Sequence, residues 1–378
     1  MLKSILFLLF TIFPLSSATA APKVTPSPPR PAATSYIMID ALSGQTITEK
    51  QSHKRLEPAS LTKIMTGYVI FYELHSGQIS LSDDVLISSK AWKTPGSKMF
   101  IEVDKRVTVE NLIKGMVIQS GNDASVALAE HVAGSEDSFA SLMNQHAAEL
   151  GMKDSHFMNS TGLPAENHYT TAYDMALLAR ALISNFPEEY NWYSQKEYTF
   201  NKITQKNRNK LLFNDETVDG IKTGHTEAAG YCLVSSALRD EMRLITVVMG
   251  ASSSRSRAQE SQKLLNFGFR FYESHRLYSP QQTLKEVRVW KGSQEQISLG
   301  LDQEMIVTLP RGEYENLEAS ISVEKTLIAP IAAGDRVGTV ILQLNGEQIK
   351  SLPLIALQSV TEGGIFQKIK DHILMLFE

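Results

Sequence analysis

The clearest periodic pattern in the chain begins just after residue 60. Six apolar residues recur there at helical spacing: Leu61, Ile64, Met65, Tyr68, Val69 and Tyr72. This spacing predicts a helix that buries one stripe of its surface, and Ser76-Gly77 supplies the stop signal. Ser60 and Lys63 then lie one turn apart on the same face of the helix.

Strand patterns lie on both sides of a long helical region. Two early strands are expected over residues 35–41 and 45–49, with a turn between them. Beyond Asn214, three more strands and an amphipathic helix are expected over residues 217–223, 230–237, 243–249 and 257–272. This order predicts an α+β domain over residues 34–277, in which one antiparallel sheet has flanking helices and a helical insertion.

The helical region is expected to cover most of residues 80–201. Thr108 is predicted to cap a helix that ends near Val117, and a second helix is predicted to begin at Asp123. The turn between them, residues 118–122, contains the triplet Ser120-Gly121-Asn122. We expect this triplet to form an exposed and tightly folded tip.

The C-terminal part of the chain has a different pattern. From residue 278 helical patterns nearly vanish, and short alternating segments with a hairpin signal at Asn345-Gly346 predict a small all-β domain over residues 278–362. Residues 363–378 are amphipathic and too short to span a bilayer. They are predicted to be an interfacial membrane-anchoring helix, and a helix packed on its own domain is the alternative.

The N-terminus has the features of an export signal. Lys3 precedes an apolar run from Ile5 to Leu15, and a small-residue site follows at Ala18-Thr19-Ala20. The run is too short for a membrane span and is typical of a cleaved signal peptide, which we assign to residues 1–20. Residues 21–33 are rich in proline and are predicted to be an extended lead-in. The protein is therefore expected to be exported.

Composition excludes several classes of function. The chain has 378 residues, of which 43% are hydrophobic, and its net charge of -4 offers no basic field for nucleic acid. Cys232 is the only cysteine, so no internal disulfide is possible, and its apolar neighbours predict a buried strand thiol. The nine histidines show no metal-binding spacing. We predict no metal, no cofactor and no nucleic-acid partner.

Ser60 and Lys63 form a candidate nucleophile and base. A hydroxyl attacks poorly unless a base removes its proton, and a neutral lysine amine one turn away can do so if its pKa is depressed. A position at the start of a helix also places backbone amides near a developing oxyanion. The spacing Ser-x-x-Lys alone is weak, because a solvated helix face would give the same pattern.

Two further motifs follow Ser60-x-x-Lys63 in order. They are Ser120-Gly121-Asn122 on a turn and Lys222-Thr223-Gly224 on a strand edge. The three together resemble the serine penicillin-recognising enzymes. The residues around the three motifs are similar to those of the low-molecular-mass penicillin-binding proteins of the type-5 group, which are D-alanyl-D-alanine carboxypeptidases. The similar segments are residues 58–63, 120–124 and 218–226. The similarity covers nearly the whole chain.

The resemblance implies a role for each motif residue. Ser60 would be the acylated nucleophile, Lys63 its base, and Ser120 a proton relay to the departing D-alanine. Asn122 would orient Lys63 and bind the substrate amide. Lys222 would favour the neutral form of Lys63 by its own charge. The remaining substrate-binding residues implied are Thr223, Gly224, His225, Arg208 and Arg257.

These implied residues divide into two groups. Lys222 and Thr223 would hold the substrate backbone and its terminal carboxylate, and the amides of Ser60 and His225 would form the oxyanion hole. Arg208 and Arg257 stand where relatives carry arginines near the carboxylate site. For both arginines, surface solvation or a structural ion pair is the alternative.

The resemblance implies partners and a location as well. The substrate would be the pentapeptide stem of peptidoglycan, β-lactams would be inhibitors, and the enzyme would act in cell-wall remodelling. The export signal and the terminal helix would place it peripherally on the periplasmic face of the inner membrane. One departure is that Ser125 stands where many relatives have cysteine, which puts sensitivity to thiol reagents in doubt.

Three other functions share these motifs. A class A β-lactamase also needs a Glu-x-x-Leu-Asn segment, which the chain lacks. A D,D-endopeptidase cleaves the same type of bond within crosslinks and stays open. An inactive penicillin-binding scaffold would retain recognition without catalysis, although the intact Ser60, Lys63, Ser120 and Lys222 argue against it.

Overall fold

The computed structural model describes residues 25–324 and 326–377. The predicted signal peptide and the first four residues of the proline-rich segment lie outside this range. The α-helices are α1 Thr62–His75, α2 Ser89–Lys93, α3 Val109–Gln119, α4 Asn122–Ala133, α5 Glu136–Glu149, α6 Ala172–Asn185, α7 Pro187–Tyr190, α8 Leu211–Asn214, α9 Ser254–Phe271 and α10 Ile365–Leu374. The strands are β1 Ser35–Asp40, β2 Thr46–Lys50, β3 Asp84–Leu86, β4 Arg106–Thr108, β5 Glu197–Phe200, β6 Ile203–Lys206, β7 Val218–Thr226, β8 Gly230–Arg239, β9 Met242–Ala251, β10 Tyr272–Tyr278, β11 Lys285–Trp290, β12 Gln296–Gly300, β13 Met305–Pro310, β14 Leu317–Val323, β15 Leu327–Ile328, β16 Arg336–Leu344 and β17 Glu347–Ala356.

The first domain is built on a five-stranded antiparallel sheet in the order β2-β1-β9-β8-β7. Both faces of β1 are buried, because its residues alternate between two cores. Ile37 and Ile39 pack with the helices of the insertion, whereas Met38 packs on the opposite face with Leu264 and Leu265 of α9. The predicted α+β sheet with a helical insertion is confirmed. Strand β7, which carries the third motif, lies at the edge of this sheet.

Several predicted boundaries shift by a few residues. Thr108 caps α3 through a hydrogen bond from the Asn111 amide to its side chain, as expected. However, α3 runs to Gln119 rather than to Val117, and α4 begins at Asn122. The connection between the two helices is therefore two residues long. Helix α9 also begins earlier than predicted, at Ser254, since the side chain of Ser253 caps it.

The C-terminal domain is all-β, as predicted. Its six-stranded sheet has the order β14-β16-β17-β12-β11-β15. The Asn345-Gly346 signal forms the hairpin between β16 and β17, and both residues have the positive φ angles, 52° and 82°, that a tight hairpin turn of this type requires. Strand β10 follows α9 directly and pairs with β13.

Helix α10 packs on this domain through its polar face. Asp371 is fully buried and accepts hydrogen bonds from the Lys291 amide at 2.6 Å and from Arg288 at 3.4 Å. The apolar side chains point away from the domain, and Phe366 is 90% exposed. No helix within residues 25–324 and 326–377 is both long and apolar enough to cross a bilayer.

Candidate active site

Ser60 lies in a short turn that leads into α1. Residues Ala59–Leu61 form one turn of 3-10 helix, and Thr62 then begins α1. Ser60 is partly exposed, so a substrate can reach its hydroxyl, whereas Lys63 is only 1% exposed. The predicted placement of the two side chains on one face is confirmed by the 3.2 Å between Lys63 Nζ and Ser60 Oγ.

Lys63 Nζ has two further partners, and both can only accept hydrogen bonds. They are Asn122 Oδ1 at 2.7 Å and the Thr161 carbonyl oxygen at 2.5 Å. A neutral amine has two hydrogens and one lone pair. Because the two acceptors take both hydrogens, the lone pair is left facing Ser60 Oγ. This geometry suits a base that removes the hydroxyl proton.

The surroundings of Lys63 favour its neutral form. Burial, followed by the positive charge of Arg208, lowers its pKa from 10.5 to about 7, although Asp123 and Glu136 oppose the shift. A substantial fraction of Lys63 is then neutral near pH 7. The expectation that the charge of Lys222 favours neutral Lys63 is not met. The repulsion between the two lysines lowers the pKa of Lys222, whereas burial and Arg208 lower the pKa of Lys63.

The second motif is buried, and the prediction of an exposed tip is wrong. Ser120 is 2% exposed and Asn122 is 5% exposed. Ser120 has φ 67° and ψ 34°, a left-handed conformation in which it ends α3. Ser120 accepts a hydrogen bond from Lys222, and Asn122 accepts one from Lys63. Because these polar atoms have partners within the protein, the triplet can be buried away from water.

Lys222 reaches Ser120 from the sheet edge. Its Nζ donates to Ser120 Oγ at 2.9 Å and to the Thr223 carbonyl at 3.1 Å. Burial, together with the charges of Lys63, Arg208 and Arg257, lowers the pKa of Lys222 well below its usual value.

Strand β7 runs close to the turn that carries Ser60. A Cβ atom at Gly224 would lie 3.1 Å from the Pro58 carbonyl oxygen and 3.2 Å from the Ala59 side chain, so glycine permits the close approach. Thr223 is 5% exposed, and His225, the next residue after Gly224, is exposed. The ring of His225 packs on Tyr231, with ring centroids 4.0 Å apart.

The two arginines occupy different environments. Arg257 is 7% exposed, and its Nη1 donates to the carbonyls of Gly224 at 2.8 Å and Cys232 at 3.3 Å. Both acceptors are uncharged carbonyls, so these contacts do not compensate the positive charge of Arg257. Arg208 is exposed and forms no salt bridge within the part of the chain that the structure describes. It acts on the site by charge, since it lowers the pKa values of both active-site lysines.

The single cysteine and possible metal ligands are considered apart from the three motifs. Cys232 is fully buried in β8, and burial raises its pKa to about 11, so it is the buried strand thiol that the sequence predicts. Among the residues described, no group of three or more His, Cys, Asp or Glu side chains is arranged to hold a metal ion.

The family follows from comparison with known proteins. The profile of peptidase S11, described as D-alanyl-D-alanine carboxypeptidase, matches residues 22–253. The chain belongs to this family. A second profile, described as the C-terminal domain of penicillin-binding protein 5, matches residues 272–362. The predicted enzyme class is confirmed: the protein is a serine-type D-Ala-D-Ala carboxypeptidase that acts in peptidoglycan metabolism and binds penicillin.

Individual relatives agree over nearly the full length. The chain is 44% identical to the D-alanyl-D-alanine carboxypeptidase DacC of Escherichia coli over 374 residues, which cover 97% of this chain and 94% of DacC. It is 44% identical to DacA of the same organism over 360 residues, which cover 93% and 89%. The crystal structure of penicillin binding protein 5 from Haemophilus influenzae superposes with a TM-score of 0.87 at 40% identity, covering 89% of this chain and 99% of that one.

Two residues of this carboxypeptidase site were missed by sequence reasoning. Asp123 is fully buried and accepts hydrogen bonds from the amides of Met99, Phe100 and Ile101, which fixes the loop beside Asn122. An acidic residue in the first turn of a predicted helix is a usable signal for such a role. Thr161 contributes its backbone carbonyl, for which the sequence carries no signal because every residue has one.

Proposed function

We propose that Ser60 is the nucleophile of this carboxypeptidase and that the enzyme removes the terminal D-alanine from peptidoglycan pentapeptide stems. The observation that carries this proposal is the placement of Lys63. The two hydrogens of its neutral amine have acceptors in Asn122 and Thr161, and its lone pair faces Ser60 Oγ, which lies 3.2 Å from Nζ. A base in this position converts the hydroxyl into an effective nucleophile.

The acylation step uses four side chains. Ser60 Oγ attacks the carbonyl carbon of the penultimate D-alanine while Lys63 takes the hydroxyl proton. The backbone amides of Ser60 and His225 stabilise the oxyanion. Ser120 Oγ passes its proton to the nitrogen of the departing D-alanine and takes a proton in turn from the ammonium group of Lys222, which donates to it at 2.9 Å. The peptide bond breaks, an ester to Ser60 remains, and water hydrolyses this ester.

The basic residues near β7 would recognise the C-terminal carboxylate of the substrate. Lys222 and Thr223 would bind the terminal carboxylate, and the charges of Arg257 and Arg208 would reinforce them. A crosslinked peptide has an amide in place of this carboxylate and would lose charge-assisted hydrogen bonds. Asn122 has one amide hydrogen bonded to the Pro95 carbonyl at 2.7 Å, which leaves the other for the substrate backbone.

Intact-protein mass spectrometry tests the proposed chemistry. Incubation with benzylpenicillin should add one penicillin mass, and peptide mapping should place it on Ser60. Incubation of the free enzyme with a pentapeptide ending in D-Ala-D-Ala should release one D-alanine per peptide. A penicillin adduct on another serine would refute the assignment of the nucleophile, and binding of penicillin without any release of D-alanine would indicate a recognition scaffold.

A second proposal concerns location: α10 anchors the exported protein to the surface of the inner membrane. The supporting observation is the orientation of the helix, in which buried Asp371 fastens the polar face to the β domain and the apolar face is left outside. An exposed apolar helix face of this kind suits the interface between lipid headgroups and acyl chains. The outward-facing residues are Ile365, Phe366, Ile369, Ile373, Leu374, Leu376 and Phe377.

Vesicle sedimentation tests the anchoring. The protein beginning near Ala21 should sediment with vesicles that contain anionic lipid, and deletion of residues 364–378 should leave it in the supernatant with unchanged activity on a soluble peptide. The matched variants Phe366→Asp and Gln358→Asp each add one negative charge to the C-terminal part of the chain, but only Phe366→Asp alters the apolar face. Equal vesicle binding by these two variants would contradict anchoring through α10.

A further inference from the structure

The carbonyl group that faces Lys63 belongs to a turn built around one side chain, that of Asn159. Its Oδ1 accepts hydrogen bonds from Thr161 N at 3.1 Å, Thr161 Oγ1 at 2.9 Å and Gly162 N at 2.8 Å. Its Nδ2 donates to the Leu163 carbonyl at 2.9 Å and to His168 Nδ1 at 3.3 Å. A single amide therefore shapes residues 159–163 from within.

The turn is pressed against the segment that carries Ser60. Gly162 has φ 83°, and a Cβ atom there would overlap with the carbonyl group of Ala59. Any displacement of the turn would therefore be transmitted to both partners of the proton transfer: to Lys63 through the Thr161 carbonyl and to Ser60 through Ala59. The two contacts give the turn a fixed position relative to the reacting groups.

His168 fixes the orientation of the Asn159 amide. Because Asn159 Nδ2 can only donate, His168 Nδ1 must accept, and the hydrogen of the neutral ring is then on Nε2. That nitrogen lies 3.1 Å from Thr62 Oγ1, the residue before Lys63. Burial, with a smaller effect of His156, lowers the pKa of His168 to about 4, so the ring is neutral near pH 7.

Glu136 holds the same turn from the other side. Its Oε1 accepts from Ser160 N at 3.1 Å and from Ser160 Oγ at 2.8 Å. The Ser160 carbonyl in turn accepts from Thr66 Oγ1 on α1 at 2.7 Å. The turn is thus fixed by α1 and α5 without contributing a side chain to the reacting atoms.

We propose that Asn159, oriented by His168, is a positioning residue of the acylation reaction: it holds the Thr161 carbonyl as an acceptor for Lys63 and thereby aims the lysine lone pair at Ser60. This inference rests on the proposed role of Lys63 as the base. Without the Thr161 acceptor, one amine hydrogen has no fixed direction, and the lone pair faces Ser60 in only part of the population.

The test is the second-order rate constant of acylation by benzylpenicillin, measured against pH for Asn159→Ala and Asn159→Asp. We expect Asn159→Ala to lower the plateau by about 10- to 100-fold, as small misplacements of reacting groups do. The acid limb of the pH profile, where the rate falls as Lys63 becomes protonated, should also move. It should shift to lower pH in Asn159→Ala, because the ammonium form of Lys63 loses an acceptor, and to higher pH in Asn159→Asp, because a negative charge is added.

The direction of these shifts is meaningful because the other charges near Lys63 stay in place. Arg208 lowers its pKa, whereas Asp123 and Glu136 raise it, and Lys222 is a further basic residue at the site. None of these four residues is changed in the variants. A merely structural role of Asn159 would reduce the folded fraction and leave the acid limb of the folded enzyme where it is.

A matched pair at residue 168 tests the link between the two side chains. His168→Asn places an amide oxygen near the position of Nδ1 and keeps an acceptor for Asn159, whereas His168→Ala removes it. We expect His168→Asn to acylate at least about fivefold faster than His168→Ala, with thermal unfolding used to confirm that both are folded. If Asn159→Ala does not fold, this pair and Asn159→Asp decide the question.

The outcomes separate the inference from the function on which it rests. A wild-type plateau and acid limb in Asn159→Ala, or equal rates in the two His168 variants, would overturn the positioning role alone. Acylation of Lys63→Ala at the wild-type rate would show instead that Lys63 is not the base, and the proposed mechanism would fail with it.

Discussion

Lys222 Nζ lies 2.9 Å from Ser120 Oγ, although 102 residues separate them in the chain. The contact joins the edge strand β7 to the left-handed residue that ends α3. It would also link the two halves of the site, since in the proposed reaction Ser120 faces the leaving group and Lys222 binds the substrate carboxylate. In that reaction, binding of the carboxylate and protonation of the leaving group would both depend on Lys222.

The first prediction concerns the nucleophile. Ser60→Ala should lower the rate of covalent labelling by benzylpenicillin by at least about 10³-fold, because the variant lacks the attacking oxygen while the fold is kept. Ser125→Ala is the matched control. Ser125 is buried near the site with its Oγ bonded to the Gly121 carbonyl at 2.9 Å, and its removal should leave labelling within about threefold of the unmodified rate.

The second prediction is the pH dependence of acylation. In the proposed mechanism the active form has neutral Lys63, and burial and Arg208 lower the pKa of this residue to about 7. The rate should therefore rise about tenfold per pH unit below that value and level off above it. Lys63→Arg should show no such limb and almost no acylation, since guanidinium stays protonated. An acid limb near pH 10, where an exposed lysine titrates, would contradict the role of burial.

These predictions depend on features that the sequence shows to different degrees. The alternation of Ile37 and Met38 between two cores is visible as a strand pattern, and the Ser60-Lys63 spacing follows from helical periodicity. The burial of Ser120 is not visible, because a short polar triplet also fits an exposed turn. Its partner Lys222 comes from a distant strand, and only the tertiary structure brings them together.

Asp371 gives a second example of the same limit. In the sequence it belongs to the polar face of a terminal amphipathic helix, where a charged residue is expected to face solvent. In the structure that face contacts the β domain, and the carboxylate is fully buried against Arg288 and the Lys291 amide. Periodicity identifies the two faces of a helix but not which of them meets the protein.

The third prediction is uptake of a proton when an anionic ligand binds. In the free site, burial and neighbouring cations lower the pKa of Lys222 well below its usual value. A bound carboxylate favours the charged form and raises this pKa again, so binding at an alkaline pH below the ordinary lysine value should take up a proton. Calorimetry of penicillin binding to Ser60→Ala, in buffers of different ionisation enthalpy, measures the uptake without acylation.

Two further variants assign this proton. In the Ser60→Ala background, Lys222→Met should abolish the dependence of the binding enthalpy on the buffer, whereas Lys63→Met should retain most of it. A binding enthalpy independent of the buffer in the Ser60→Ala protein would mean that Lys222 does not change its charge. The reverse pattern in the two lysine variants would place the proton on Lys63.

The fourth prediction concerns the choice between a terminal carboxylate and an amide. Arg257 lies beside Gly224, and among the residues that the structure describes no carboxylate accepts a hydrogen bond from it. Charge-assisted hydrogen bonds to a substrate carboxylate contribute about 1.5 to 3 kcal/mol each. Arg257→Ala should therefore lower kcat/KM for a pentapeptide ending in D-Ala-D-Ala by roughly 10- to 100-fold, and that for an uncharged ester by much less.

The ester is needed because Arg257 also supports the strand. Its Nη1 bonds to the carbonyls of Gly224 and Cys232, and loss of these bonds would disturb both reactions alike. The ratio of the two kcat/KM values removes this shared effect and leaves the recognition of charge. Arg257→Lys, which keeps the charge, should restore part of the ratio. Equal losses on peptide and ester, or faster cleavage of a crosslinked dimer than of the pentapeptide by the unmodified enzyme, would favour an endopeptidase, because selection of a free carboxylate would then be absent.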